Sequence, residues 1–251
     1  MTESPGWREK LSWTSEPAPA LALDEATTAL LIIDMQMFCT PDSDRGRHMR
    51  NHAPKIADAF FALVRDVVIP NQVRLLEFWR SHGLRVVYTT TGSFLPDGTD
   101  ATPRRQRRDA TRLAAMGMTE HMHPGSADYQ IVDAVRPQPG EIVIAKNSAG
   151  AFNSSPIDQI LRNMGITGLV IGGLITEACV ESTAREAADR GYDCILLEDG
   201  CASDLSQDIH EATLFNFART FGEVRSTQQV VDSFETKLSP QPVPKLAAPS
   251  R

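Results

Sequence analysis

Five short runs of aliphatic and β-branched residues punctuate the chain: TALLIID at 28–34, LRVVYTT at 84–90, EIVIAK at 141–146, GLVIGGL at 168–174 and DCILLE at 193–198. Each is apolar on both faces, the pattern of a strand buried between two layers rather than one with a wet side. Longer stretches with helical spacing separate them, among them AFFALVRDVVIPNQVRLLEFWRSHG at 59–83. This alternation predicts an α/β chain: a three-layer Rossmann-like fold with a central, mostly parallel six-stranded sheet flanked by helices. The sixth strand is expected near GEVRST at 222–227. Right-handed crossovers then bring the strand C-terminal ends to one edge, where open α/β sheets hold their ligands.

The two ends break this pattern. Residues 1–23 mix polar residues with proline, and 236–251, TKLSPQPVPKLAAPSR, carries four prolines and little apolar material. They read as a flexible N-terminal arm and a Pro-rich flexible tail around a domain at 24–235. Trp7 and Trp13 in the arm have the alternative of packing across a subunit boundary.

Composition narrows the function. With 251 residues, 41% hydrophobic and 23% charged, the chain suits one globular domain with a sizeable core. A net charge of -7 gives no general attraction to nucleic acid or an anionic membrane, so small molecules or other proteins are the expected partners. No apolar run approaches the roughly 18 residues of a membrane span. The four cysteines include no C-x-x-C, and MTESPGWREKLSW lacks a signal peptide's apolar core, so free thiols and a cytoplasmic location are expected. The sequon at Asn153 then has no secretory context. No G-x-G-x-x-G or P-loop pattern occurs, which removes the sequence basis for a nucleotide cofactor.

Three polar residues fall where the topology puts the ligand. Asp34 closes the first strand, Lys146 closes EIVIAK, and Cys179 follows GLVIGGL by five residues, at the start of the next helix. Together they compose a base, a cation and a nucleophile. A nearby ammonium and a helix N-terminus both raise the thiolate fraction of a cysteine, so an activated thiol is the expectation. Separately, each has a bland reading: a core thiol, an N-cap and a solvated lysine.

ALLIIDMQ, VIAKNSAGAF and GGLITEACVESTAREAADRGYDCILLEDGCAS, read in that order, resemble the three blocks of the isochorismatase-like cysteine hydrolases across residues 25–235. The resemblance implies a catalytic triad of Asp34, Lys146 and Cys179, a cis peptide between Leu174 and Ile175, and an oxyanion hole from the Ile175 and Cys179 amides. It implies substrate-binding positions at Gln36, Phe38, Phe152 and Glu177 and a homodimer or homotetramer; one branch of the family carries an Asp/His metal cluster, but PDSDRGRHMRNHAPK shows no Asp-x-His spacing, so no metal or other cofactor is expected. The activity implied is hydrolysis of a C–N bond in a small amide, ureido or carbamoyl compound through a thioester. Members that hydrolyse the vinyl ether of isochorismate characteristically lack the cysteine. Such an ether hydrolase, with Cys179 a bystander, and a non-catalytic thiol-regulatory protein of the same fold are the alternatives.

The chain departs from the family pattern in places. DMQMFC sets Phe38 one place early and omits an acidic residue, and Glu177 stands where aspartate is common. Outside the three blocks, PRRQRRD at 103–109 concentrates four arginines. It reads equally as a solvated loop or as a site for a substrate carboxylate or a neighbouring subunit. His121 and His123 read as solvated loop residues, Cys194 and Cys201 as core thiols, and His210 as the start of a helix against the sheet.

Overall fold

The computed structural model describes residues 6–13, 20–21 and 23–238. The strands are β1 (Thr28–Ile33), β2 (Arg85–Thr91), β3 (Ile142–Lys146), β4 (Gly168–Leu174), β5 (Asp193–Ala202) and β6 (Glu223–Arg225). The helices of the first half are α1 (Trp7–Ser12), α2 (Asp44–His52), α3 (Pro54–Leu63), α4 (Ile69–Ser81) and α5 (Pro103–Met116). Those of the second half are α6 (Ile157–Asn163), α7 (Glu181–Asp189), α8 (Gln207–Thr220) and α9 (Thr227–Leu238).

The six strands form one sheet in the order β3-β2-β1-β4-β5-β6, and every pair is parallel. The chain builds outward from β1 to β3, then returns to the centre and builds the other way from β4. The order therefore reverses between β1 and β4, and an open α/β sheet has its binding crevice at the strand ends of such a switch.

β1 shows why the sequence run is apolar throughout. All six of its residues are buried, yet Leu30 and Ile32 enter one core while Ala29, Leu31 and Ile33 enter the other. The first core holds Phe60, Leu75, Leu76, Trp79 and Phe234 from α3, α4 and α9. The second holds Trp7, Ile157, Leu161, Ala184 and Phe217 from α1, α6, α7 and α8. Helices cover both faces, which gives the three layers.

The long helical stretch at 59–83 is interrupted. Residues Val64–Val68 form a π-turn between α3 and α4, and Pro70, the second residue of α4, lacks the N–H an α-helix would use. The expected flexible arm is corrected in its described part: 6–13 contain α1, with Trp7 buried against its own chain and Arg8 paired with Glu198 at 2.7 Å. Trp13 is exposed. The rest of the arm, apart from 20–21 and 23, lies outside the described residues, as does the expected tail beyond Leu238; residues 236–238 continue α9.

Candidate active site

Asp34 follows β1 directly, and its φ of 49° makes it the one non-glycine residue with a left-handed backbone among the described residues. Aspartate tolerates that region better than most side chains, and such outliers concentrate at functional sites. Lys146 ends β3, two strand spacings away, about 10 Å across the sheet. Its long side chain crosses the intervening β2 and places Nζ 2.7 Å from Asp34 Oδ2, both side chains being completely buried. Thr89 of β2 donates to Asp34 Oδ1 at 2.7 Å, and Lys146 Nζ also donates to the Ser148 carbonyl at 3.1 Å. Burial alone would lower the lysine's pKa, but Asp34 and then Cys179 outweigh it, and the net shift is upward.

Cys179 comes from the other side of the switch. β4 ends beside β1, where Gly173 has φ +138° and a Cβ would sit 2.0 Å from the Ile33 carbonyl oxygen. Only glycine allows so close a strand approach. The Leu174–Ile175 peptide is cis. The chain then enters a π-turn, Thr176–Val180, which carries Cys179 and leads into α7. The Ile175 carbonyl accepts from Ala178 and Val180, so the turn is tied to its own start. Thr176 is fully buried, with its hydroxyl 2.9 Å from His210 Nδ1, while His210 Nε2 donates to the Glu198 carbonyl at 3.1 Å.

Cys179 is half-buried as a residue, and the charges of both members of the pair act on its thiol. Burial and the Asp34 carboxylate push its pKa up to about 12, against the opposing pull of Lys146. The direction of this shift runs against the raised thiolate fraction expected from a nearby ammonium and a helix start. Lysine is committed to Asp34, so at the sulfur its positive charge is largely cancelled, and desolvation decides the sign.

Of the expected substrate-binding residues, Gln36 is fully buried and its amide is occupied by backbone. Nε2 donates to Tyr129 O at 2.7 Å and Thr91 O at 3.2 Å, while Oε1 accepts from Thr91 N at 2.7 Å. It clamps the 129–131 segment to β2 rather than facing a ligand. Phe38 is buried in the first core with Arg45 over its ring, and Phe152 is buried in the second against Tyr192. Glu177 shares the π-turn with Cys179. One of its oxygens accepts from Ser203 at 2.9 Å, and the other is buried without a partner among the described residues. Burial chiefly, with Asp204 and Glu181 adding to it, raises its pKa.

Other expectations change too. The arginine-rich stretch is no loop: Thr102 caps it at one end, Gly117 ends it in a left-handed turn, and it forms the first half of α5. His121 and His123 are mostly covered, with Asp109 at 3.9 Å and Glu120 at 3.3 Å respectively. Cys194 and Cys201 are buried free thiols. No cluster of three or more metal-binding side chains occurs among the described residues. Thr89, Tyr129, Ser203 and the His210–Thr176 contact were not singled out from sequence. The available signal was the run of three threonines ending β2, where a buried strand would otherwise stay aliphatic.

A three-layer parallel α/β fold with a carboxylate, a lysine and a thiol at its switch point defines the class of protein. Comparison with known proteins makes it particular: the Isochorismatase domain model matches residues 28–229, and the chain belongs to that family of hydrolases. It is similar to the ureidoacrylate amidohydrolase RutB of Methylobacterium radiotolerans, with 32% identity over 228 residues covering 89% of this chain and 84% of that protein. A cysteine hydrolase from Pseudomonas syringae pv. phaseolicola shares the fold with a TM-score of 0.71 at 22% identity, over 89% of this chain and 99% of that one. N-carbamoylsarcosine amidase from Thermoplasma acidophilum does so with a TM-score of 0.56 at 24% identity, over 80% and 96%. No helix among the described residues is long and apolar enough to cross a membrane.

Proposed function

We propose that the protein is a cysteine-dependent amidohydrolase that cleaves a C–N bond of a small amide, ureido or carbamoyl compound. The observation that carries this reading is the buried Asp34–Lys146 pair at 2.7 Å, with the Cys179 thiol under the influence of both. The similarity to an amidohydrolase over most of the chain supports it.

Burial and the Asp34 carboxylate hold the Cys179 pKa above the ordinary thiol value, so the thiol form predominates at neutral pH. Attack therefore calls for a base to take the thiol proton. Asp34 accepts the thiol proton as the sulfur bonds to the substrate carbonyl carbon, and Lys146 holds the carboxylate in place and offsets the charge passing to the sulfur. The carbonyl electrons move to oxygen, which the Ile175 and Cys179 amides receive. Collapse of this intermediate breaks the C–N bond, and the nitrogen leaves with the proton held by Asp34. Water then attacks the thioester, Asp34 takes its proton, and the thiol is restored as a carboxylate or carbamate departs.

The test is a panel of ureido, carbamoyl and simple amide substrates, assayed with wild type and Cys179→Ala for ammonia or amine release, with mass spectrometry of acid-quenched enzyme. The expected result is a Cys179 acyl adduct in wild type and loss of nearly all turnover in the variant. Hydrolysis by Cys179→Ala at a rate comparable to wild type would overturn the reading, and consumption of isochorismate by both would replace it with ether hydrolysis.

A further inference from the structure

Helix α8 grips the turn that carries Cys179 at both of its ends. His210 and Thr213 are three residues apart, so they share one face of the helix, and both are buried. At the start of the turn the Thr176 hydroxyl lies 2.9 Å from His210 Nδ1. Just past its end, Thr213 donates to a Glu181 carboxylate oxygen at 3.3 Å. Cys179 stands between these two anchors. Thr176 is also where the backbone of the turn closes, because its carbonyl accepts from the Glu181 N–H.

The surroundings of His210 leave it one tautomer. Its Nε2 is 3.1 Å from the Glu198 carbonyl, which can only accept, so Nε2 carries the proton and Nδ1 of the neutral ring accepts from Thr176. Burial lowers the pKa of the ring against the pull of the Glu198 carbonyl and the charges of Glu211 and Glu198, which favours that neutral form. Glu198 is itself held. It lies in a bulge of β5, where residues 197–200 stand against Gly172 alone, and its side chain pairs with Arg8 of α1 at 2.7 Å. Beside it, Asp199 accepts from the Thr227 N–H and hydroxyl, both at 2.8 Å. His210 thus connects a fixed point of the sheet to the first side chain of the cysteine turn, and Thr176 is fully buried, away from solvent that could replace the bond.

We infer that His210 is a positioning residue for the reaction: through the Thr176 hydroxyl it fixes the turn that holds the Cys179 thiol against Asp34 and presents the Ile175 and Cys179 amides to the substrate oxygen. This rests on the amidohydrolase reading above. Reacting groups tolerate little displacement, and a shift of about 1 Å costs up to about 100-fold in rate. A turn tied at its start by one side-chain hydrogen bond is exposed to such a shift when that bond is lost.

The experiment uses Thr176→Val, which keeps the branched shape and removes the hydroxyl, and Thr176→Ser, which keeps the hydroxyl. Circular dichroism and thermal melting first establish that each is folded, and Thr176→Ala takes the place of Thr176→Val if that variant does not fold. On an amide that wild type turns over, Thr176→Val is expected to lose about 10-fold to 100-fold in kcat with KM within about threefold, and Thr176→Ser to restore kcat to within about threefold. Because His210 and Thr176 act as one contact, the Thr176→Val, His210→Leu double variant is expected to be no slower than the slower single. A role confined to packing would lower the melting temperature and leave kcat in place. The second readout needs no turnover. The apparent pKa for alkylation of Cys179 by iodoacetamide is expected to fall in Thr176→Val from near 12 toward the ordinary value of about 8.5, as the freed turn lets water reach the sulfur and draws it from Asp34. That fall in a protein that hydrolyses no amide supports the role of His210 and sinks only the amidohydrolase reading. A folded Thr176→Val whose alkylation profile matches wild type overturns the inference, and so do kcat losses that multiply in the double variant.

Discussion

Replacing Lys146 with Met tests whether the Asp34–Lys146 pair is the electrostatic centre of the fold as well as of the site. Both side chains are completely buried, and Nζ is 2.7 Å from the carboxylate. Methionine matches the length and apolar body of the lysine stem but leaves the Asp34 carboxylate with Thr89 as its side-chain donor. Breaking a buried pair from one side typically costs about 3–5 kcal/mol, because the surviving charge stays desolvated. For a domain of this size each kcal/mol shifts the melting temperature by about 2–4 °C, so a fall of roughly 10 °C is expected. Asp34→Asn with Lys146→Met removes both charges, and the double variant is expected to recover at least about 2 kcal/mol relative to the sum of the singles. The assay is urea unfolding followed by circular dichroism at pH 7.5, with calorimetry as a check. That pH is suitable because the Lys146 pKa is raised in the fold: its contribution is complete below the unfolded value of about 10.4 and is lost only as pH climbs through the folded value. A Lys146→Met protein within about 1 kcal/mol of wild type, or strictly additive variants, would show that water reaches the pair and that its burial does not govern the site.

Two pH-dependent predictions follow from the same physics. Alkylation of Cys179 by iodoacetamide, followed by peptide mass spectrometry, is expected to be slow at pH 7 and to keep rising beyond pH 9, because the thiol is held near 12; a plateau with an apparent pKa of 7 or lower contradicts this. His210 is held neutral, its pKa lowered chiefly by burial, so its contribution to stability is present above about 6.5 and is lost as pH falls. Unfolding free energy measured between pH 7 and 5 should therefore decline, and His210→Asn should flatten the decline; an unchanged slope in the variant would assign the acid sensitivity to other groups.

The strands and the three candidate residues were legible in the sequence for one reason. Strands apolar on both faces can only be buried, buried parallel strands fix which edge carries the ligand, and Asp34, Lys146 and Cys179 are polar residues in or just beyond strand ends at that edge. What was not legible depends on distances that spacing does not encode. Gln36 sits beside Asp34 in sequence and invites a ligand role, but the fold brings Tyr129 and Thr91 to its amide from segments more than fifty residues away. Four arginines in seven residues look alike in loop or helix, because 104–109 hold no apolar residue whose spacing could be read. The sign of the Cys179 shift was the hardest of all. A lysine and a helix start argue for thiolate, whereas the structure has already paired that lysine with a fully buried carboxylate, so the sulfur faces a nearly neutral ion pair in a desolvated site. Burial first, and then the Asp34 carboxylate that holds the lysine, raise the thiol pKa; on the proposed mechanism that same carboxylate is the proton acceptor.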